Sequence, residues 1–123
     1  MAGQLNLRLR VDVTNGDFRD KVDHGNATIT QTGLGSDGGV VTVPSASEAD
    51  LDLSRLSTPG YCILRNLDDT NYVDYGPKSS GVMVPFGRLE PGDRQVVRFG
   101  PSVVLRWQAD TADVQVQVDA YES

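Results

Sequence analysis

The sequence predicts an all-β protein: a single β-sandwich domain over residues 1–123, made of about eight to ten short antiparallel strands. A jelly roll is among the arrangements that fit, because strand order is invisible without pairing. Three observations carry the prediction. Apolar residues alternate with polar ones at a period of two in segment after segment. Gly, Pro, Asn and Asp punctuate the chain roughly every eight to twelve residues, the spacing of sandwiches and barrels. No stretch of useful length carries the 3.6-residue period of an amphipathic helix.

Gly60 to Gly76 is the apolar centre of the chain. Tyr61 to Asn66 reads as a strand buried on both faces, since Tyr61 and Ile63 point one way and Cys62 and Leu64 the other. Leu67 to Asn71 is a polar turn, and Tyr72 to Tyr75 a second strand. Gln4 to Thr14 has the cleanest alternation. Leu5, Leu7, Leu9, Val11 and Val13 share one face, and Asn6, Arg8, Arg10, Asp12 and Thr14 the other, which predicts a half-buried strand. Asn15-Gly16 suits a two-residue hairpin turn. Asp17 to Val22 is weakly strand-like, Asp23-His24-Gly25 reads as a second turn, and Asn26 to Thr32 as a strand rich in β-branched residues.

Gly33 to Gly39 has too many glycines for regular structure and is expected to be a flexible loop. Val40 to Val43 is a short strand stopped by Pro44. Ser45 to Asp50 allows one helical turn, and Leu51 and Leu53 alternate with aspartates as a strand would. Thr58-Pro59-Gly60 turns the chain. After Gly76-Pro77, Lys78 to Gly81 is expected to be a second mobile loop, followed by a strand from Val82 to Phe86. Pro91 and Gly92 occupy the two corners of a type II turn. Arg94 to Phe99 is a strand, and Gly100-Pro101 a turn. Val103, Leu105, Trp107 and Ala109 line one face of the next strand. Asp110 to Asp113 connects to the last, in which Val114, Val116, Val118 and Ala120 face inward.

The totals narrow the classes of function. A chain of 123 residues is one domain by length and buries about two-thirds of its unfolded surface. Its 38% hydrophobic and 23% charged residues mark a globular chain. With 17 acidic against 11 basic residues the net charge is −6, which phosphates would repel, so no nucleic-acid partner is expected. No segment is long enough to cross a membrane as a helix, and Met1-Ala2-Gly3 leads directly into a strand, so neither a membrane nor a leader is expected. The single cysteine, Cys62, reads as a small buried hydrophobe.

Asp12, Asn15 and Asp17, and Asp68, Asp69, Asn71 and Asp74, cluster near turns without the spacing of a calcium loop. Asp and Asn also build turns, so no metal is expected at either place. His24 has no nearby His or Cys to complete a zinc site. A Cys62–His24 pair is the only nucleophile-and-base combination, and Cys62 is expected inside. Gly33 to Gly39 lacks the Lys-Ser/Thr and the helix of a phosphate loop. Trp107 with Tyr61, Tyr72, Tyr75 and Tyr121 would suit a sugar-stacking platform, but Trp107 shares its face with Val103 and Leu105 and so reads as core. The expectation is a protein with no catalytic residues and no cofactor.

Several runs also resemble a known group. Leu51-Asp52-Leu53, Thr58-Pro59-Gly60-Tyr61 and Arg65 to Val73, then Pro85-Phe86, Leu89 to Asp93 and Asp110 to Val114, are similar to small all-β virion proteins of tailed bacteriophages. The resemblance covers Leu51 to the C-terminus; the first fifty residues match only in β character. It implies a virion component assembled in the host bacterial cytoplasm, without enzymatic activity. The favoured role is a capsid decoration or cement protein that bridges neighbouring shell subunits of the major capsid protein. The alternatives are a tail or neck component and, in another class, a carbohydrate-binding sandwich module. A closed homo-oligomer, with a trimer favoured because capsid lattices offer three-fold sites, would make such bridging multivalent. Exposure and flexibility point to Leu5, Leu7, Arg8, Arg10, Leu34, Ser36, Asp37, Lys78 and Ser79 as partner contacts.

Overall fold

Eleven antiparallel strands organise residues 3–31, 35–100 and 102–122, which the computed structural model of the chain describes. The described residues contain no helix. By internal contacts the chain separates into two units, Met1–Leu34 and Gly35–Ser123.

The first unit is a ribbon of two long strands, β1 (Gly3–Asn15) and β2 (Phe18–Gln31). The loop is Gly16-Asp17, one residue later than the expected Asn15-Gly16, since Asn15 pairs with Phe18. Gly16 has a φ of 59° and Asp17 does not share that positive sign, as a type II′ turn requires. The turn expected at 23–25 is instead a bulge inside a continuous strand. Arg8 pairs with Asn26 and Arg10 with Asp23, so Leu9 faces both His24 and Gly25. Gly25 supplies the left-handed φ of 71°, and its N–H donates to Asp23 Oδ1 at 2.8 Å. The extra residue shifts the strand's phase. Phe18 and Val22 therefore share a face with Ala27 and Ile29, together with Leu5, Leu7, Leu9, Val11 and Val13 of β1.

The second unit is a two-sheet sandwich, as the sequence predicts. One sheet orders β3 (Ser36–Val43), β11 (Val114–Glu122), β5 (Pro59–Asn66) and β9 (Arg94–Arg98). The other orders β4 (Ala49–Asp50), β10 (Leu105–Ala109) and β6 (Val73–Ser79), with β7 (Val82–Met83) and β8 (Gly87–Leu89) both along the far edge of β6. Between β7 and β8 the pairing continues through Val84 N to Pro77 O at 2.8 Å and Phe86 N to Tyr75 O at 3.0 Å. They act as one bulged strand. Eight strands then run first–eighth–third–sixth in one sheet and second–seventh–fourth–fifth in the other, the connectivity of a jelly roll.

Several local expectations change. Ser36 to Gly39 belongs to β3 and not to a loop, because each residue pairs with β11; Gly33 and Leu34 lie outside the described residues. Ser45 to Ser47 forms bends, and the strand in this stretch is Ala49–Asp50, not Leu51 to Leu53. Pro59 and Gly60 have joined β5. Lys78 and Ser79 are also in a strand: β6 runs through Gly76-Pro77 to a tight hairpin at Ser80 and Gly81, whose φ values of 53° and 79° are those of a type I′ turn. The type II turn at Pro91-Gly92 is present, with Gly92 at φ 80° and Asp93 N bonded to Glu90 O.

The core lies between the two sheets. Val43, Cys62, Leu64, Val114, Val116, Val118 and Ala120 come from one sheet, and Val73, Tyr75, Leu89, Leu105, Trp107 and Ala109 from the other. β5 is buried on one face only: Gly60, Cys62, Leu64 and Asn66 are inside, whereas Tyr61 and Ile63 are half-buried and Arg65 is exposed. Asn66 is the buried polar residue that ties the centre together. Its Nδ2 donates to the carbonyls of Asn71 and Leu89, both at 3.0 Å, and its Oδ1 accepts from Asp68 N at 2.8 Å. Tyr75 bridges the sheets by donating its hydroxyl to Gln95 of β9.

Candidate interaction surface

The β1–β2 ribbon is amphipathic and its apolar side is bare. Leu5, Leu7 and Ile29 are half-buried, but Leu9 is 45% exposed, Val11 46% and Phe18 60%, with Val13, Val22 and Ala27 also exposed. The sequence expectation of a half-buried strand therefore holds for the part far from the loop and fails towards it. The opposite side is polar and largely self-satisfied. Arg8 reaches Asp23 at 3.2 Å, Arg10 reaches Asp12 at 3.1 Å, and Thr28 Oγ1 donates to Asn6 Oδ1 at 2.9 Å.

The expected contact residues fall in three places. Leu5 and Leu7 lie on the apolar side of the ribbon and Arg8 and Arg10 on the polar side, so a flat partner meets one pair or the other. Ser36 and Asp37 lie on β3, an edge strand, opposite Tyr121 and Ala120. Asp37 accepts an ion pair from Arg55 at 3.7 Å. Lys78 and Ser79 lie at the tip of β6, and Lys78 Nζ holds Asp50 at 3.0 Å. That pair belongs to a network in which Arg106 binds Glu48 at 2.9 Å and Asp50 at 3.1 Å. Leu34 is outside the described residues.

A second apolar feature escaped the sequence. Between the ends of the sheets lies a groove of about 430 Å³, lined by Leu51, Leu53, Leu56, Pro59, Phe99 and Val103. Beside it, Phe86 is 82% exposed. The groove is dominated by aliphatic and aromatic carbon, with Asp50 and Asp52 also on its lining. Apart from Pro59, which begins β5, the residues named come from connections between strands, which alternation cannot place.

Asp12, Asn15, Asp17 and His24 belong to the ribbon, His24 in the bulge opposite Leu9, and Cys62, Asp68, Asp69, Asn71, Asp74 and Trp107 belong to the sandwich. Cys62 is fully buried, and burial, helped by the charge of Asp119, pushes its thiol up to about 12. It stays protonated, which leaves it a packing residue. Among the described residues, no three His, Cys, Asp or Glu side chains converge as metal ligands. Asp68 holds its turn as an acceptor from Asn71 N at 2.6 Å and Thr70 N at 3.0 Å, and these bonds hold its carboxyl below the usual value. Glu122 accepts from Ser57 N at 3.1 Å, with the same consequence. Trp107 is 1% exposed and belongs to the core. Arg88 lies over the ring of Tyr72 at 3.6 Å and Arg98 over that of Tyr61 at 5.1 Å, so one face of each ring is taken by a cation.

Fold and surface together define a jelly-roll sandwich joined in sequence to an amphipathic β-ribbon, with apolar surface outside the core. No family model, curated protein or solved structure matches the chain.

Proposed function

We propose that the chain is a non-enzymatic structural protein of tailed-phage virions, a decoration or cement protein that bridges neighbouring shell subunits of the head. The observation that carries the reading is the contrast between a finished sandwich and a ribbon with an uncovered apolar face. Contiguous apolar surface of this kind marks an interaction site. The likeness of residues 51–123 to small phage virion proteins supplies the setting: a particle assembled in the bacterial cytoplasm, with the major capsid protein as partner.

In this role the sandwich is a rigid spacer and the contacts do the work. The edge strands β3 and β9 present unpaired backbone groups to which a neighbouring chain can add a strand. A closed homo-oligomer, a trimer at a three-fold lattice site, touches several shell subunits at once. Each further contact is then effectively intramolecular, so weak contacts sum to firm binding. No cofactor, nucleic acid or membrane takes part.

The test uses purified heads that lack decoration. The chain should co-sediment with them and raise their resistance to heat and osmotic shock. Binding to isolated tails and not to heads would replace this reading with the tail or neck alternative. Binding to neither would overturn it.

A further inference from the structure

We propose that the apolar face of the β1–β2 ribbon is closed by the same face of another copy of this chain, which makes the ribbon the self-association element. The proposal rests on the structural role above for its purpose only; the contact itself is a property of the purified chain, and because it pairs like faces about a two-fold axis it makes the closed oligomer a dimer in place of the trimer.

Size and completeness come first. Strands of 13 and 14 residues extend about 44 Å, and with neighbours about 4.8 Å apart the face covers on the order of 400 Å². That is the size at which exposed apolar surface signals a partner. A two-stranded ribbon alone is marginal in water, so nine apolar side chains on one side (Leu5, Leu7, Leu9, Val11, Val13, Phe18, Val22, Ala27 and Ile29) call for a second layer. Two such faces stacked about 10 Å apart make a four-stranded sandwich with its own core.

Charge then selects the occupant. Residues 1–34 contain four basic side chains (Arg8, Arg10, Arg19, Lys21) and four acidic ones (Asp12, Asp17, Asp20, Asp23), for a net charge of zero. The whole −6 therefore falls on residues 35–123. Copies of the acidic unit repel one another, whereas copies of the ribbon do not, so the ribbon is where identical chains can meet. Along the described apolar face the strands place a single charge, Asp20, near the loop end, where it can remain at the rim. A lipid surface is the poorer fit. It would need cations around the apolar face, and here the cations lie on the opposite face, where Arg8 and Arg10 already pair with Asp23 and Asp12.

The experiment uses the full chain without any particle. Leu9 is at the middle of β1, so it lies near the symmetry axis whether the ribbons pack parallel or antiparallel. Leu9→Cys should give a covalent dimer with a short bis-maleimide cross-linker, which spans the ~10 Å between stacked faces that a direct disulfide does not, with buried Cys62 as a silent background. Sedimentation of the unaltered chain should show an oligomer, and Val11→Asp should raise its dissociation constant by about 100-fold or more, because a carboxylate is then buried unpaired. Trp107 emission, read in parallel, reports whether the sandwich stays folded in the variant. A monomer at tens of micromolar, an oligomer indifferent to Val11→Asp, or a Leu9→Cys oligomer that does not cross-link overturns the proposal. The monomer result would hand the face to a different virion protein, and co-sedimentation with heads would remain open to its own test.

Discussion

The ribbon of β1 and β2 and the sandwich of β3 to β11 are written in the same alphabet and reach opposite ends. Both alternate apolar and polar residues with period two. In β11 the pattern Val114, Val116, Val118, Ala120 is fully covered by the opposing sheet, yet in β1 the equally regular Leu9, Val11, Val13 is open to solvent. Alternation tells which side chains share a face. It does not tell whether anything lies on that face. In the sandwich the cover is supplied by the opposing sheet, and in the ribbon, on the proposal above, by another copy.

The sharpest way to break this contrast is to delete one large side chain from each unit. Trp107→Ala should cost about 3–5 kcal/mol in denaturant unfolding, since it empties the centre of the sandwich. Leu9→Ala, measured below the association range, should cost less than about 1 kcal/mol, because an exposed leucine loses little on truncation. Equal costs would mean that the ribbon has a cover within its own chain.

Gly76 gives the next effect. A Cβ there would sit 1.8 Å from the Val84 carbonyl oxygen, at the bulge between β7 and β8. Because the obstacle is backbone, Gly76→Ala should destabilise the sandwich by about 3 kcal/mol, the upper range for overpacking. Asn66→Ala follows at about 2 kcal/mol, as it leaves Asp68 N and the carbonyls of Asn71 and Leu89 without their bonds. Thermal melting of both variants checks the order.

The smallest effect is in acid. Asp68 and Glu122 have carboxyls held below their usual values of 3.8 and 4.5 by backbone hydrogen bonds in the sandwich. Their folded forms favour the charged state, so this stability is complete above the unfolded values and is lost as pH falls through the folded ones. Melting temperature should be level with respect to these groups near neutrality and decline below about pH 4, and Asp68→Asn should flatten part of that decline.

The same distinction between faces and their covers explains what the sequence revealed. β11 was legible with the right residues inside, β10 likewise except for Val103, which precedes the strand and is exposed, and the Pro91-Gly92 turn with its geometry, because each rests on local pattern alone. Long-range pairing decided the rest. Ser36 to Gly39 looks like a linker until β11 lies beside it, and Lys78 looks mobile until β7 folds back on β6. β2 was weak in the sequence because its bulge interrupts the period: Phe18 and Val22 are in even positions, Ala27 and Ile29 in odd ones. Leu5 and Leu7 were correctly placed on one face, but Phe18, Val22 and Phe86 were missed, since exposure depends on what is absent nearby.

The bulge at His24-Gly25 also sets how the ribbon can change in evolution or design. Removing one residue there would take out the bulge and restore simple alternation, with Ala27 and Ile29 still opposite Leu7 and Leu5 on the greasy side and the threonines still on the wet one. A single deletion at this point should thus be tolerated, whereas one elsewhere in β2, with the bulge kept, would turn the side chains on one side of it inside out; lengthening both strands together near the Gly16-Asp17 tip would keep every residue in phase. The ribbon's reach and its mid-length bulge are adjustable; the phase of the strands outside them is not.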